Sequence, residues 1–213
     1  FFTMKLIGGE SLASVLNALR RNNAEYRKDY PIRRLLGTFI QVCNAVSFAH
    51  SRGVIHRDLK PENVMLGEFG EVLVMDWGLA KIRDFDEILS PHNVADPDDY
   101  TQTQEGVVLG TPLYMPPEQA VGDIANTDER SDVFSLGITL IEIVSGHPVE
   151  RVRLSESAFE ADLDEALGHL DQWPKIAELT RQMCAFLPDD RPSPADVALQ
   201  CGGLSEKMLS SSL

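Results

Sequence analysis

Hydrophobic residues recur at helical spacing along most of the chain, and strand character is confined to short runs. Phe1 to Ile7 is a brief apolar run of β character, stopped by Gly8-Gly9. Ser11 can then cap a helix whose stripe is Leu12, Val15, Leu16 and Leu19. Tyr30-Pro31 opens a longer helix with Leu35, Leu36, Phe39, Ile40, Cys43, Val46 and His50 on one face, ended by Arg52-Gly53. From Val54 to Ala80 the texture changes to short β-like runs, Val64 to Leu66 and Val72 to Met75, between polar loops. Residues 81–110 keep no period and read as a long loop, which in a compact domain is functional or disordered.

After Pro116-Pro117 the helical period returns. Asp128 to Ser145 is apolar on most faces, which predicts a central buried helix stopped by Gly146-His147-Pro148. Further helices are expected at about Ser155–Leu170, Trp173–Leu187 and Ser193–Leu199, with a frayed end from Ser210 to Leu213. There is no internal repeat. The pattern predicts an α+β fold, mostly α, with one small β element.

Composition narrows the function classes. The 213 residues hold 19 Lys and Arg against 33 Asp and Glu, a formal charge of −14, with 43% hydrophobic residues. That is enough chain for a sizeable core. It lacks the basic surface that nonspecific binding to nucleic acid or an anionic membrane needs. Cys43, Cys184 and Cys201 form no CxxC pair, so neither a disulfide framework nor a zinc site is expected and the expected compartment is cytoplasmic, with a membrane anchor outside this segment left open. No apolar run approaches the ~20 residues of a membrane helix. Phe1-Phe2-Thr3-Met4-Lys5 is neither an initiator methionine nor a basic leader, and reads as the start of a piece cut from something longer.

The chemistry is concentrated in His56-Arg57-Asp58-Leu59-Lys60-Pro61-Glu62-Asn63. This matches the protein-kinase catalytic loop, H-R-D-L-x-x-x-N. Asp76-Trp77-Gly78 stands where that family has Asp-Phe-Gly, and Gly110 to Glu118 resembles the segment that closes its activation loop. Ser131-Asp132-Val133-Phe134-Ser135-Leu136-Gly137 and Asp190-Arg191-Pro192 follow in family order. The chain resembles a eukaryotic-like, bacterial-type serine/threonine protein kinase from about Phe1 to Leu199.

The resemblance implies the following roles. Asp58 is the catalytic base for a substrate hydroxyl, Lys60 reaches the transferred phosphate, and Asn63 and Asp76 hold Mg²⁺. ATP lies against Met4, Lys5, Ile7, Lys60, Glu62, Asn63, Met65 and Asp76, with Met4 at the gatekeeper position and Met65 beneath the adenine. Thr111 contacts the catalytic residues, Glu118 pairs with Arg191, and Asp132 holds the catalytic-loop backbone. Lys60 implies serine or threonine acceptors. Arg57 implies control by phosphorylation of the activation loop, for which Thr101 and Thr103 are candidates. The Trp77 substitution keeps a large ring and bears on how readily that loop flips.

Nothing in the 213 residues matches the family's Gly-rich loop or its small-lobe lysine. The resemblance therefore covers the hinge and the large lobe, residues 1–200, followed by a tail at 201–213, with the small lobe absent. Such a piece is expected to transfer phosphate poorly by itself. The alternative is a non-catalytic, pseudokinase-like scaffold working through the grooves around Gly146–Leu170. Partners are expected to be ATP and proteins carrying Ser or Thr, with dimerisation left open.

Overall fold

The computed structural model describes residues 8–77, 81–82, 112–121, 127–149 and 156–210. Among these are eight α-helices, a small antiparallel sheet and a two-stranded ribbon. The first strand, β1 (Glu10–Ser11), leads into α1 (Leu12–Arg20), α2 (Ala24–Asp29) and the long α3 (Ile32–Ser51). Next come β2 (Val54–Ile55), a 3₁₀ turn at Pro61–Asn63, β3 (Val64–Leu66), β4 (Val72–Val74) and β5 (Lys81–Ile82). A second 3₁₀ turn at Pro112–Tyr114 precedes α4 (Pro117–Ala120). The C-terminal half holds α5 (Glu129–Ser145), α6 (Glu156–Gly168), α7 (Pro174–Met183) and α8 (Pro194–Ser210).

Local signals set most of these boundaries. Ser11 caps α1 by accepting the Ser14 amide at 3.1 Å, and Asp128 caps α5 by accepting the Arg130 amide at 2.9 Å. Gly146 ends α5 in the left-handed conformation (φ 71°), its N–H closing on the Glu142 carbonyl. Gly9 takes φ 121° and leaves no room for a Cβ, which would lie 2.1 Å from the Leu66 carbonyl oxygen. That close approach lets β1 join the sheet.

Burial follows the periodicity. In α5 every residue from Ser131 to Ile143 is buried, so this helix is the axis of the core. The α3 helix packs along α8 and α5, and α7 packs against α5. The sheet order is β1-β3-β4, with Val64 opposite Val74 and Met65 opposite Leu73. Val64 and Leu66 face the core; Met65, between them, points the other way and is half-buried.

Three expectations change. The short α2, capped by Asn23, has no counterpart in the apolar pattern, and none of its residues is buried. The α7 helix stops at Met183 rather than Leu187, because the carbonyls of Ala185 and Phe186 turn to accept hydrogen bonds from Arg191. The last helix runs on to Ser210, with Cys201 buried against the core. The expected strand at Phe1–Ile7 and most of the 81–110 stretch lie outside the described residues.

Candidate active site

Two strands and one helix fix the site. The 3₁₀ turn ends at Asn63 where β3 begins, and the Met75 amide at the end of β4 donates to the Asn63 carbonyl at 2.8 Å. The hairpin thus brings Asn63 and Asp76 to the same end. Asp76 is exposed and left-handed at φ 60°, a conformation Asp tolerates better than most residues.

Around Asp58 the side chains converge. Lys60 Nζ lies 3.0 and 2.8 Å from the two Asp58 carboxylate oxygens. Asn63 Nδ2 donates to the Asp58 carbonyl at 2.7 Å and to its Oδ2 at 3.2 Å. With Nδ2 so used, Asn63 Oδ1 makes no hydrogen bond among the described residues. A carboxylate and a free amide oxygen at one hairpin end form a donor set that suits a hard cation such as Mg²⁺. Glu62 is exposed on the same turn, and Met65 lies on the sheet's outer face. Met4, Lys5, Ile7, Gly78, Thr101, Thr103 and Thr111 lie outside the described residues.

The loop that carries Asp58 is held by side chains. Arg57 is left-handed (φ 69°), a conformation that costs energy for a non-glycine residue and must be imposed by its surroundings. Asp132, fully buried in the first turn of α5, accepts from the His56 amide at 2.9 Å and the Arg57 amide at 2.8 Å. The same carboxylate meets His50 Nε2 at 2.7 Å. His56 Nε2 donates to the Met75 carbonyl at 2.8 Å, and its Nδ1 accepts from the Asp58 amide at 3.2 Å. These partners require the neutral tautomer protonated at Nε2, so His56 is a brace and not a base. Trp77 stacks at a tilt on His56, 4.6 Å between centroids, and its indole N–H donates to the Val74 carbonyl at 2.9 Å. A phenylalanine could not make that bond.

A second anchor lies at α4. Glu118 receives both forks of Arg191, at 2.7 and 2.9 Å, and the Ser131 hydroxyl at 2.9 Å. A third joins α1 to the 3₁₀ turn at 112–114. The buried Glu142 carboxylate accepts from Arg20 at 2.8 Å and from the Tyr114 hydroxyl at 2.9 Å. Burial, with Glu142 beside it, pushes the Tyr114 phenol up. Sequence reasoning found Glu118, Arg191 and Asp132 but missed His50, Gln119 and the Arg20–Glu142–Tyr114 group. The helical period placed His50 on the stripe of α3, but nothing local names its partner, and nothing in the pattern singled out Glu142.

The site is a carboxylate braced by a lysine and an asparagine, on a loop clamped to a buried helix. The sequence model of the protein kinase domain matches residues 1–201, and the chain belongs to that family. It is 40% identical over 197 residues to the serine/threonine-protein kinase PknD of Protochlamydia amoebophila (strain UWE25), covering 87% of this chain and 20% of that protein. It is 34% identical over 201 residues to PknD of Chlamydia caviae, covering 90% of this chain and 21% of that protein. PknD of Chlamydia muridarum is 33% identical over 186 residues, covering 82% and 19%. The chain spans about a fifth of the length of these relatives. Among the described residues, no helix is long and apolar enough to cross a membrane.

Proposed function

We propose that these residues form the catalytic-loop half of a protein serine/threonine kinase, a hinge and large lobe over 1–200. ATP would supply the γ-phosphoryl group, and a bound Mg²⁺ would offset the charge that builds on it. Asp58 orients the acceptor Ser or Thr hydroxyl and takes its proton as the new O–P bond forms and the bond to the β-phosphate oxygen breaks. Lys60 neutralises the transferred phosphate. Asn63 and Asp76 would hold the metal, while Met65 would pack under the base and Met4, Lys5, Ile7 and Glu62 would complete the nucleotide site. Arg57 supports control by phosphorylation, since its Nε and Nη2 are buried with no hydrogen-bond partner among the described residues.

The observation that carries this reading is the convergence of Lys60 and Asn63 on the single carboxylate of Asp58. The test is transfer of labelled γ-phosphate to Ser- and Thr-containing peptides by the complete protein that contains this chain. Asp58→Asn should cut transfer by at least about a hundredfold, within the range that removing a proton-transfer group costs, and an unchanged rate would reject the role. The 213 residues alone, without a Gly-rich loop or its lysine, should transfer little. Calorimetric titration of them with Mg²⁺-ATP, against Asp76→Asn, separates a usable nucleotide site from none.

A further inference from the structure

The Arg57–Asp58 peptide is held from a direction that the family motifs do not explain. The Arg57 N–H is accepted by Asp132, but its carbonyl is reached by Gln119, whose Nε2 donates to it at 3.0 Å across 62 residues of sequence. Gln119 sits on α4, one residue after Glu118, which Arg191 and Ser131 lock in place. The amide can make this contact in one orientation only. Turned over, Oε1 would face the Arg57 carbonyl oxygen, and two acceptors repel. In the orientation observed, Oε1 is buried and has no partner among the described residues. An unpaired buried acceptor is a poor way to gain stability, so what this side chain supplies is its N–H.

We infer that Gln119 is a positioning residue for phosphoryl transfer. It fixes the left-handed Arg57 peptide and, through it, the direction of the Asp58 carboxylate, so that seating of α4 is read directly at the catalytic base. This rests on the kinase reading above. Asp132 holds the preceding peptide, through the Arg57 N–H, from the core side, and Gln119 holds the Arg57–Asp58 peptide from α4, within the Gly110 to Glu118 segment and its flank that resemble the close of the family's activation loop. With the Gln119 bond gone, the Arg57 carbonyl loses its described partner. Among the described residues, the bond from the Asp58 N–H to His56 Nδ1 at 3.2 Å is then what remains on that peptide to oppose its rotation out of a conformation that a non-glycine residue does not favour.

The test uses the complete protein with Gln119→Met, which keeps the length and loses the donor, and Gln119→Glu, which can donate only when protonated. With Gln119→Met, kcat for peptide phosphorylation should fall at least tenfold while KM for ATP stays within twofold. Amide hydrogen exchange at residues 57 and 58 should quicken at least tenfold with the melting temperature little changed. The ratio of Gln119→Glu to wild-type kcat should climb as pH falls from 8 to 5.5, whereas the Gln119→Met ratio stays flat. Wild-type kcat and exchange in Gln119→Met would overturn the inference, and so would a flat Gln119→Glu ratio. If Gln119→Met loses its fold, the Gln119→Glu profile decides alone. If even the wild type shows no Asp58-dependent transfer, the kinase reading fails, and the exchange comparison still decides whether Gln119 holds this peptide.

Discussion

Replacing Arg191 with methionine tests what the Glu118–Arg191 pair contributes. The guanidinium is fully buried and every one of its five N–H groups has an acceptor. Two go to Glu118, and the others to the carbonyls of Ala185, Arg130 and Phe186. The ring of Phe134 also lies 5.2 Å beneath it. Methionine fills similar volume but leaves a nearly buried carboxylate with only the Ser131 hydroxyl, and three carbonyls that lose this donor. Removing one partner of a buried pair costs about 3–5 kcal/mol, because the remaining charge is uncompensated. For a chain of this size each kcal/mol shifts the melting temperature by roughly 2–4 °C, so a drop of about 6–20 °C is expected by calorimetry. The carboxylate is the larger part of that cost, so adding Glu118→Leu should restore a good share of it. A double-mutant cycle should give a coupling of about 2 kcal/mol or more. A single-mutant loss below about 1 kcal/mol, or strictly additive mutants, would refute the argument.

Two further perturbations follow from the packing and titration of the core. At Gly137 an added Cβ would lie 2.4 Å from Cys184 Sγ and 3.1 Å from Met183 Cβ, where α5 and α7 meet. Gly137→Ala should therefore destabilise despite a helix-propensity gain of about 1 kcal/mol; adding Cys184→Ala should recover part of the loss in urea unfolding, and a Gly137→Ala protein as stable as wild type would contradict the close approach. Burial raises the thiols of Cys184 and Cys201 from 9.0 to about 12 and holds Cys43 well above its ordinary value. Burial and the Glu10 hydrogen bond push Tyr30 from 10.0 to about 12. The folded state keeps these protons where the unfolded chain has lost them, so their stabilisation is complete below about pH 9 and is lost as pH rises toward 12. Urea midpoints should fall between pH 8 and 10.5, and a thiol-exchange reagent should reach no cysteine at pH 8 before unfolding; rapid native labelling would show the thiols to be accessible.

What was legible in the sequence was local. Ser11, Asp128 and Gly146 act within one turn of themselves, so the caps they predict need no knowledge of the fold. The stripe of α3 and the all-round burial of α5 followed from periodicity alone. The kinase motifs were legible because phosphoryl transfer fixes residue types at short spacings. What escaped depends on contacts between distant segments. The strand β1 is two residues long and exists because Gly9 lets the backbone approach Leu66. The end of α7 is set by a guanidinium that takes the carbonyls of Ala185 and Phe186, just past the helix. His50 and Gln119 show no signal in their neighbours, since the partners that give them meaning lie 82 and 62 residues away.

That distance dependence has a mechanical consequence for the site. A catalytic aspartate in a β-ladder would have its direction set by the pleat, alternating between faces. Asp58 instead projects from a turn whose preceding residue is left-handed, and the bonds that hold residues 56–58 come from side chains: Asp132, Gln119, Asn63 and the ring of His56. Such a turn is only as rigid as the elements that supply those side chains. Asp132 comes from the most buried helix in the molecule, and its hold is therefore firm. Gln119 comes from a four-residue helix whose own stability rests on the Glu118–Arg191 pair. The two clamps differ in how easily they release, and the weaker is the one that comes from α4. A loop built this way can keep its fold while its aim changes, which is why Arg191, far along the chain, should influence the direction of Asp58 through Glu118 and Gln119 and not only the melting temperature.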